Sequence, residues 1–335
     1  MAEGMTWSVT DGNTLTQAEI YGQVLNQLGD RYPNLVAITA DLATSTKIGA
    51  FSKKFPERFI NVGIAENSMF GMAAGMASVG FMPVCSTFAT FAALRSAEQV
   101  RTDICYQNLN VKIIATHGGV SFGQAGSTHH CTEDISVMRS FANMTVIVPA
   151  DGIETGNAVA AAMEIDGPVY IRIGRGFEPT VHQSADYGFE VGRAHTLRDG
   201  RDVTLIACGV GVLQSVRAAA MLAEQGLSVR VVNMHTIKPI DKDAILKAVT
   251  ETRRIITVEE HNIESGLGSA VADVICASGK ACAFAKLGMP DCYSIVGYPE
   301  DLYNHYKFDA DGIVEAVSGL LKMEIEEDED WEDEF

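Results

Sequence analysis

One charged side chain stands alone in a long apolar stretch of the sequence. Glu66 is the only charged residue between Arg58 and Arg95, and it lies within the segment RFINVGIAENSMFGMAAGMASVGFMPVCS. Apolar surroundings disfavour the charged form of a carboxyl group by desolvation, which suits a group that shares a proton with a ligand. Position alone favours a second interpretation, a first-turn helix acid that complements the helix dipole.

The residues around this carboxylate indicate a strand, a turn, a helix and a second strand. One apolar run ends at Gly63, a helix of small residues follows, and another apolar run begins after Pro83. The uncharged run from Ser68 to Cys85 has nearly the length of a membrane span. Its glycines and the 20% charged content of the chain argue against one. Gly71 and Gly75 suit close helix packing, as at a subunit interface.

A second motif could carry chemistry of a different class. Gly119, Ser121 and Gly123 match the G-x-S-x-G nucleophile elbow of α/β-hydrolases, directly after an apolar strand. That motif needs a helix immediately afterwards to hold the serine, whereas the segment from Gln124 to Thr128 has the composition of a loop. An α/β-hydrolase with Ser121 as nucleophile stays open as the alternative from another class.

Three other patterns resemble binding sites. Gly209-Val-Gly211 nearly matches a dinucleotide fingerprint, but Gln214 replaces the third glycine, and we interpret the motif as a strand-to-helix turn. The consecutive residues His129 to Cys131 lack a spaced partner pair, so no metal site is predicted. Glu259-Glu260-His261 lies at a strand end, for which a solvated terminus is the favoured interpretation.

The composition excludes several classes of function. The net charge of −18 argues against nucleic acid or an anionic membrane as a partner. Seven cysteines without a C-x-x-C pair fit a reducing cytosol better than a disulfide framework. The first residues show no secretory signal. The chain is therefore predicted to be cytoplasmic.

The length of 335 residues suits about two domains. Apolar strand-like runs alternate with helical segments, which predicts parallel sheets covered on both faces. The predicted fold class is α/β, with two domains that are each a largely parallel sheet flanked by helices. One long helix is predicted after Thr87, with Phe88 and Phe91 near its start. The predicted divisions are an N-terminal extension (1–13), a first domain (14–177), a linker (178–200), a second domain (201–322) and an acidic tail (323–335).

Five motifs follow one another along the chain: DLATS, GIAENSMFGMAAGMA, STFATF, ATHGGVSFGQAGSTHH and VPADG. Together they resemble the thiamine-diphosphate-dependent transketolase family, and most closely the C-terminal half of a split transketolase. The resemblance covers about residues 10–320. It implies that the first domain is the family's pyrimidine-binding domain and the second its C-terminal domain. The family's diphosphate-binding domain, with its GDG…N metal motif, has no counterpart in this sequence.

The resemblance gives the isolated carboxylate a defined role. The family's glutamate that matches Glu66 hydrogen-bonds N1′ of the cofactor's aminopyrimidine and promotes the imino tautomer that deprotonates thiazolium C2. Phe88 and Phe91 match the aromatic residues around the pyrimidine; without the family they would be interpreted as core residues three positions apart. Asp41 matches an acid close to the cofactor at the dimer interface.

Other matching residues are expected at the substrate. His117 and His129 match loop histidines that contact substrate, and His129 is the better candidate for proton transfer to the sugar oxygens. Arg175 and Ser45 match residues that hold a sugar phosphate. Two departures leave the sugar open to phosphorylated, branched or sulfonated compounds and to a donor of unusual stereochemistry. Ala125 replaces an acid that recognises a donor hydroxyl, and NTLTQAEIYG lacks an arginine that the family often carries near its first helix.

The resemblance predicts transfer of a two-carbon ketol unit from a ketose to an aldose. An N-terminal-half subunit is expected to bind the diphosphate and the Mg²⁺ or Ca²⁺, in an α2β2 assembly that self-associates through the pyrimidine-binding domain. A β subunit of a 2-oxo acid dehydrogenase and a deoxyxylulose-phosphate synthase-like enzyme are alternatives with the same cofactor. The loop from His117 to His130 favours transketolase over both. A non-catalytic scaffold subunit is a further alternative.

Overall fold

Two sheets organise the chain. The computed structural model describes residues 15–176, 179–323 and 325. In chain order, the strands are β1 (Leu35–Thr39), β2 (Phe59–Asn61), β3 (Met82–Phe88), β4 (Lys112–Thr116), β5 (Thr145–Ile147), β6 (Val169–Arg172), β7 (His195–Arg198), β8 (Val203–Ala207), β9 (Val229–Asn233), β10 (Thr236–Lys238), β11 (Arg254–Asn262) and β12 (Ala283–Met289). The first sheet has the order β10-β5-β6-β4-β3-β1-β2, and the second has the order β12-β11-β8-β9-β7. Only the pairs β10–β5 and β7–β9 are antiparallel among these strands.

Helices cover the first sheet on both faces. In chain order, the α-helices of the described residues are α1 (Gln17–Arg31), α2 (Gly49–Lys54), α3 (Glu66–Ser78), α4 (Ala97–Gln99), α5 (Asp134–Ser140), α6 (Gly152–Ala162), α7 (Val210–Glu224), α8 (Lys242–Glu251), α9 (Leu267–Ser278), α10 (Pro299–His305) and α11 (Ala310–Leu320). Along β1, Leu35 and Ala37 pack in a cluster with α1 and α6, whereas Val36 and Ile38 pack in a cluster with α3. Successive side chains of a strand point to opposite faces, so both faces are buried. The predicted α/β fold class is confirmed.

The start of α1 is fixed by a capping box. The Thr16 hydroxyl accepts a hydrogen bond from the Glu19 amide at 3.2 Å, and the Glu19 carboxylate accepts one from the Thr16 amide at 3.0 Å. Two otherwise unsatisfied N–H groups of the first turn are satisfied in this way. The capping box therefore fixes the first turn of α1. The same Glu19 side chain pairs with Lys47, in the loop that follows β1.

The segment after β3 differs from the predicted single long helix. Phe88 is the last residue of β3 rather than part of a helix start. A π-helical turn covers Phe91–Arg95, α4 follows, and a second π-helical segment covers Val100–Cys105. Each π-turn accommodates one more residue than an α-turn. A 3.6-residue periodicity cannot reveal this change of register.

The two halves of the chain share a core and a sheet. The largest hydrophobic cluster joins Ile135 and Met138 of α5 to Leu267 and Val271 of α9. β10 comes from the second half of the sequence, yet it pairs with β5 in the first sheet.

The predicted linker is not continuous loop, because its residues 195–198 form β7 at the edge of the second sheet. The predicted domain bounds otherwise stay predictions. The predicted extension and most of the predicted acidic tail lie outside the described residues.

One face of α3 has no partner among the residues that the structure describes. A Cβ added at Gly75 would meet no atom within 4 Å, and one at Gly71 would meet only Asp103, at 3.9 Å. Met72 and Val79 are exposed nearby in the sequence. Within the described part of the chain, these two glycines therefore do not make the close packing expected of them. No helix of the described residues is long and apolar enough to cross a membrane.

Candidate active site

An aromatic cluster lies at the carboxyl ends of β3 and β4. Phe88 ends β3 and stacks on His117, which follows β4, with ring centroids 3.9 Å apart. Phe122 lies 5.0 Å from His117 and 5.7 Å from His129, both at steep interplanar angles. Ligands of α/β proteins bind outside the carboxyl ends of parallel strands, so this edge is where a site is expected.

Glu66 is connected to this cluster through an arginine. Its side chain is only 4% exposed at the start of α3. Both carboxylate oxygens accept hydrogen bonds from Nη1 of Arg95, at 3.2 and 3.3 Å. The Arg95 guanidinium lies 3.9 Å from the ring centroid of Phe91, and Phe91 stacks on Phe88 at 5.5 Å. Glu66 is therefore buried among apolar side chains, but it is not isolated, because Arg95 balances its charge.

His117 is held as a neutral imidazole. Burial lowers its pKa to about 3, and the neighbouring Arg175 and His129 act in the same direction. Its Nδ1 lies 2.8 Å from the Thr116 hydroxyl. Its backbone has a φ of 61°, a left-handed conformation that is uncommon outside glycine and that clusters at functional sites. At neutral pH, His117 can exchange hydrogen bonds with a ligand but is a poor proton acceptor.

A cavity of about 500 Å³ opens beside the aromatic cluster. Ser45, Lys47, His117, Phe122 and Arg175 are among its lining residues. The Arg175 guanidinium lies 4.7 Å from the ring centroid of Phe122. The structure thus brings the two predicted phosphate-binding residues to one cavity with His117. Lys47 supplies a further cation there, although it also pairs with the acid of the capping box.

Asp41 lies apart from this cavity. The side chain is exposed, and its Oδ1 accepts a hydrogen bond from Asn61 Nδ2 at 3.2 Å. The Asp41 amide donates in return to Asn61 Oδ1, which also accepts from the Gly63 amide. Asp41 therefore contacts the segment that leads into α3, and its described contacts do not include the aromatic cluster.

Ser121 does not have the geometry of a nucleophile elbow. Its hydroxyl is buried, donates to the Gly118 carbonyl at 2.6 Å and accepts from the Arg175 amide at 3.2 Å. A single 3-10 turn, Gly123–Ala125, follows it in place of a helix. The nearby His130 has its Nε2 within hydrogen-bond distance of the Gly123 carbonyl oxygen, at 3.2 Å. The hydroxyl thus stabilises the loop, and the hydrolase hypothesis is wrong at this serine.

The predicted solvated strand end is buried. Glu259, Glu260 and His261 are 0%, 4% and 0% exposed. Burial raises the pKa of Glu259 to about 7, although the amides of Leu267 and Gly268 donate to its carboxylate and so act to lower the pKa. The solvated interpretation was wrong because the first half of the chain covers this end of β11. The Gly209 motif is the strand-to-helix turn that was predicted, between β8 and α7.

Sequence reasoning missed the site roles of Arg95, Phe122 and Lys47. Arg95 comes into reach of Glu66 across a π-helical turn, and spacing gives no signal for such a turn. In the sequence, Phe122 occupies a variable position of the G-x-S-x-G motif, and that position predicts no role for it. No group of three His, Cys, Asp or Glu side chains within residues 15–176, 179–323 and 325 is arranged to hold a metal ion.

Comparisons with known proteins agree with this geometry. Residues 13–178 match the model of the transketolase pyrimidine-binding domain, and residues 192–313 match that of the transketolase C-terminal domain. A putative transketolase C-terminal section from Methanocaldococcus jannaschii is 41% identical and covers 91% of this chain and 96% of its own. One subunit of an apulose-4-phosphate transketolase from Phocaeicola vulgatus is 37% identical over 92% and 99% of the two chains. A solved split-gene transketolase, an inactive β4 tetramer, superposes with a TM-score of 0.85 at 43% identity, covering 92% and 98%.

The fold and the site define a two-domain α/β protein with an aromatic pocket and a buried carboxylate at the carboxyl edge of its first sheet. The chain belongs to the transketolase family, and it matches the pyrimidine-binding and C-terminal domains of that family, like the relatives that are described as a C-terminal section or a subunit of a transketolase. Membership implies dependence on thiamine diphosphate.

The residues present fit the pyrimidine end of that cofactor. Phe88 and Phe91 offer stacked aromatic faces to a flat ring, and Glu66 offers a buried carboxylate for a ring nitrogen. The Arg95 guanidinium, which is also planar, now stacks on Phe91 and hydrogen-bonds Glu66. Phe91 and Glu66 can therefore hold a planar group that stacks on the ring and donates a hydrogen bond to the carboxylate.

Proposed function

We propose that this chain is the β-type subunit of a heteromeric, thiamine-diphosphate-dependent transketolase that transfers a two-carbon ketol unit from a ketose to an aldose. The observation that carries the proposal is the buried Glu66 carboxylate beside the stacked rings of Phe91 and Phe88. When bound, thiamine diphosphate supplies a nucleophilic thiazolium carbon that attacks a ketose carbonyl.

The chain's own residues have separate tasks in this reaction. Glu66 holds or shares a proton at N1′ of the aminopyrimidine, while Phe88 and Phe91 orient the ring and exclude water. His117, neutral at physiological pH, positions a sugar oxygen by hydrogen bonding. His129 contacts the rings of Phe91 and Phe122, is half-buried with Nδ1 near the Thr128 hydroxyl, and exchanges protons with the sugar oxygens.

The cavity binds an anionic group of the sugar. Arg175 and Ser45 line it as a guanidinium and a hydroxyl, both suited to phosphate. A sugar phosphate appears in the name of the Phocaeicola vulgatus relative, which supports a phosphorylated substrate. A sulfonated sugar presents similar anionic oxygens and is the second candidate. Asp41 would act near the cofactor at the subunit interface, beyond the contacts of this chain.

The active site is proposed to be shared with an N-terminal-half subunit. That subunit would bind the diphosphate through Mg²⁺ or Ca²⁺, and this chain would bind the pyrimidine. The exposed face of α3, with Gly71, Gly75 and Met72, is a surface on which two chains can pack closely, and it supports an α2β2 heterotetramer. All seven cysteines lie in the described residues and are free thiols, which supports a cytoplasmic location.

Calorimetric titration of thiamine diphosphate with magnesium tests the composite site. We expect tight binding to the mixture of this chain with its N-terminal-half subunit and weak or no binding to either one alone. No binding in an assembled complex, checked by its mass in solution, would overturn the thiamine proposal.

A ketol-transfer screen over phosphorylated and sulfonated ketoses identifies the donor. Transfer of a two-carbon unit to an aldose is the expected result. Oxidative decarboxylation of a 2-oxo acid, or condensation of pyruvate with an aldose phosphate, would favour the dehydrogenase or the synthase alternative. The scaffold alternative predicts no turnover of any donor by a complex that binds the cofactor.

A further inference from the structure

A carboxylate from the second half of the chain anchors the loop of the first half that carries His117. Oε1 of Glu260, on β11, accepts a hydrogen bond from the Val120 amide at 3.0 Å. The same oxygen accepts one from the Tyr303 hydroxyl of α10 at 3.1 Å. All three residues are buried. The loop backbone is thus held by a carboxylate of β11, and a hydroxyl of α10 supports that carboxylate; both elements belong to the other half of the chain.

Arg172 ties the main chain of Glu260 to the first sheet. Its Nη2 donates to the Glu260 carbonyl at 2.7 Å, and its Nε lies 3.1 Å from Oδ2 of Asp134. Tyr170 donates to the same Asp134 oxygen at 2.7 Å. Each buried charge is costly to desolvate, so removing one partner of such a group leaves an uncompensated charge and is strongly destabilising.

The loop lies directly on this pair of charged residues. A Cβ at Gly119 would fall 2.4 Å from Cδ of Glu260, and one at Gly118 would fall 2.6 Å from Nε of Arg172. The φ of Gly119 is 61°, and its amide and carbonyl pair with Cys131 at 2.9 and 2.8 Å. Only glycine permits this approach, so the loop can move relative to β11 only if these contacts break.

We propose that Glu260, supported by Tyr303, is a positioning residue of the active site. It fixes the loop that holds His117 and Phe122 against Phe88, and through the loop it sets the width of the substrate cavity. The kinetic part of this inference rests on the proposed function. The mechanical part, that Glu260 holds the loop, does not.

Four variants of the full-length chain test the proposal. Glu260→Ala removes the acceptor of the Val120 amide, whereas Glu260→Gln keeps an oxygen in the same place. Tyr303→Phe removes one hydroxyl and keeps the ring that packs on Phe308 at 5.1 Å. Glu259→Ala is the matched control, because Glu259 is equally buried but accepts from amides of its own half of the chain.

Hydrogen exchange of the peptide that spans residues 117–123 is the first readout, measured on this chain and on its complex. Loss of one buried hydrogen bond should speed exchange at Val120 by about 10-fold in Glu260→Ala. Glu259→Ala and Glu260→Gln should leave that exchange close to wild type. Unchanged exchange in Glu260→Ala would overturn the proposal, whatever the activity of the complex.

The steady-state kinetics of the reconstituted complex are the second readout. A misplaced loop should lower kcat/KM by about 30-fold or more in Glu260→Ala. Recovery to within about 3-fold in Glu260→Gln and an intermediate loss in Tyr303→Phe are expected. If Glu259→Ala and Glu260→Ala lose equal activity in proportion to their loss of Tm, the role is structural and the proposal is wrong. Absence of ketol transfer in the wild type would count against the proposed function, while the exchange data would still decide the anchoring role.

Discussion

Glu66→Gln is the substitution that separates the chemistry of the site from its stability. The amide has the size of the carboxylate and keeps one oxygen acceptor for Arg95, but it cannot share a proton with a ring nitrogen. If Glu66 takes part in proton transfer, the reconstituted complex should lose at least about 10²-fold in kcat/KM. That loss corresponds to at least about 2.7 kcal/mol of activation free energy.

The effect on folding should be much smaller. The Arg95 side chain is 49% exposed, so its charge can return to water when the ion pair is lost. A half-exposed ion pair contributes about 1 kcal/mol or less to the free energy of unfolding. The Tm of the variant should therefore fall by about 4 °C or less. A large kinetic loss with a small thermal shift is the expected signature.

Kinetics, calorimetric cofactor binding and thermal unfolding are measured on the same preparations. Arg95→Met breaks the same ion pair but keeps the carboxylate, so its loss of activity should be clearly smaller than that of Glu66→Gln. Glu57→Gln is the matched control, because the exposed Glu57 carboxylate also pairs with an arginine, Arg58, at 3.5 Å, away from the aromatic cluster. Activity of Glu66→Gln within a few-fold of wild type would remove Glu66 from proton transfer. Equal losses in Glu66→Gln and Arg95→Met would assign the effect to the ion pair instead.

Three further predictions concern other titratable and charged groups. Burial lowers the pKa of His117 to about 3, so the ratio of wild-type to His117→Gln kcat/KM should stay constant from pH 5 to pH 8; a ratio that changes 10-fold across this range would contradict a neutral imidazole. Arg175→Met should raise KM for a phosphorylated donor by about 10-fold or more and hardly change it for the unphosphorylated sugar; equal effects on both would place the phosphate elsewhere. Burial acts to lower the pKa of His182, but the hydrogen bond with Asp151 and the nearby carboxylates raise it overall. Its stabilising effect is therefore complete below its unfolded pKa of about 6.5 and is lost as the pH rises through the folded value. His182→Gln should accordingly reduce the free energy of unfolding more at pH 6 than at pH 9 in denaturant titrations, and the reverse order would refute this sign.

Local patterns were sufficient for the scaffold and for the burial of Glu66, whereas the other candidate site residues came from the family resemblance. Apolar runs that alternate with helical segments predicted the parallel sheets, because strands buried on both faces lack polar alternation. The burial of Glu66 also followed from its apolar neighbours. The contact of Phe88 with His117 did not follow, because the sequence predicted Phe88 at the start of a helix, whereas Phe88 ends β3. The Arg95 contact could not be predicted, because it depends on a π-helical turn that no periodicity reveals.

Contacts between the two halves were the other part that escaped prediction. Glu260 and its neighbours at the end of β11 were interpreted as a solvated terminus because nothing in the local sequence shows what covers them. The residues that cover them, Val120 and Arg172, are separated from Glu260 by about 90 to 140 positions. Burial of this kind is set by how two sheets pack, and that packing is a long-range property of the chain.

β10 limits how this protein can be dissected or recombined. Thr236 lies opposite Ile147 in the first sheet, although about 90 residues of chain separate the two strands. A fragment that ended in the region 178–200 would retain β5 without its neighbour, and an open strand edge is a template for pairing between molecules. Chimaeras between relatives should therefore exchange both halves of this chain together.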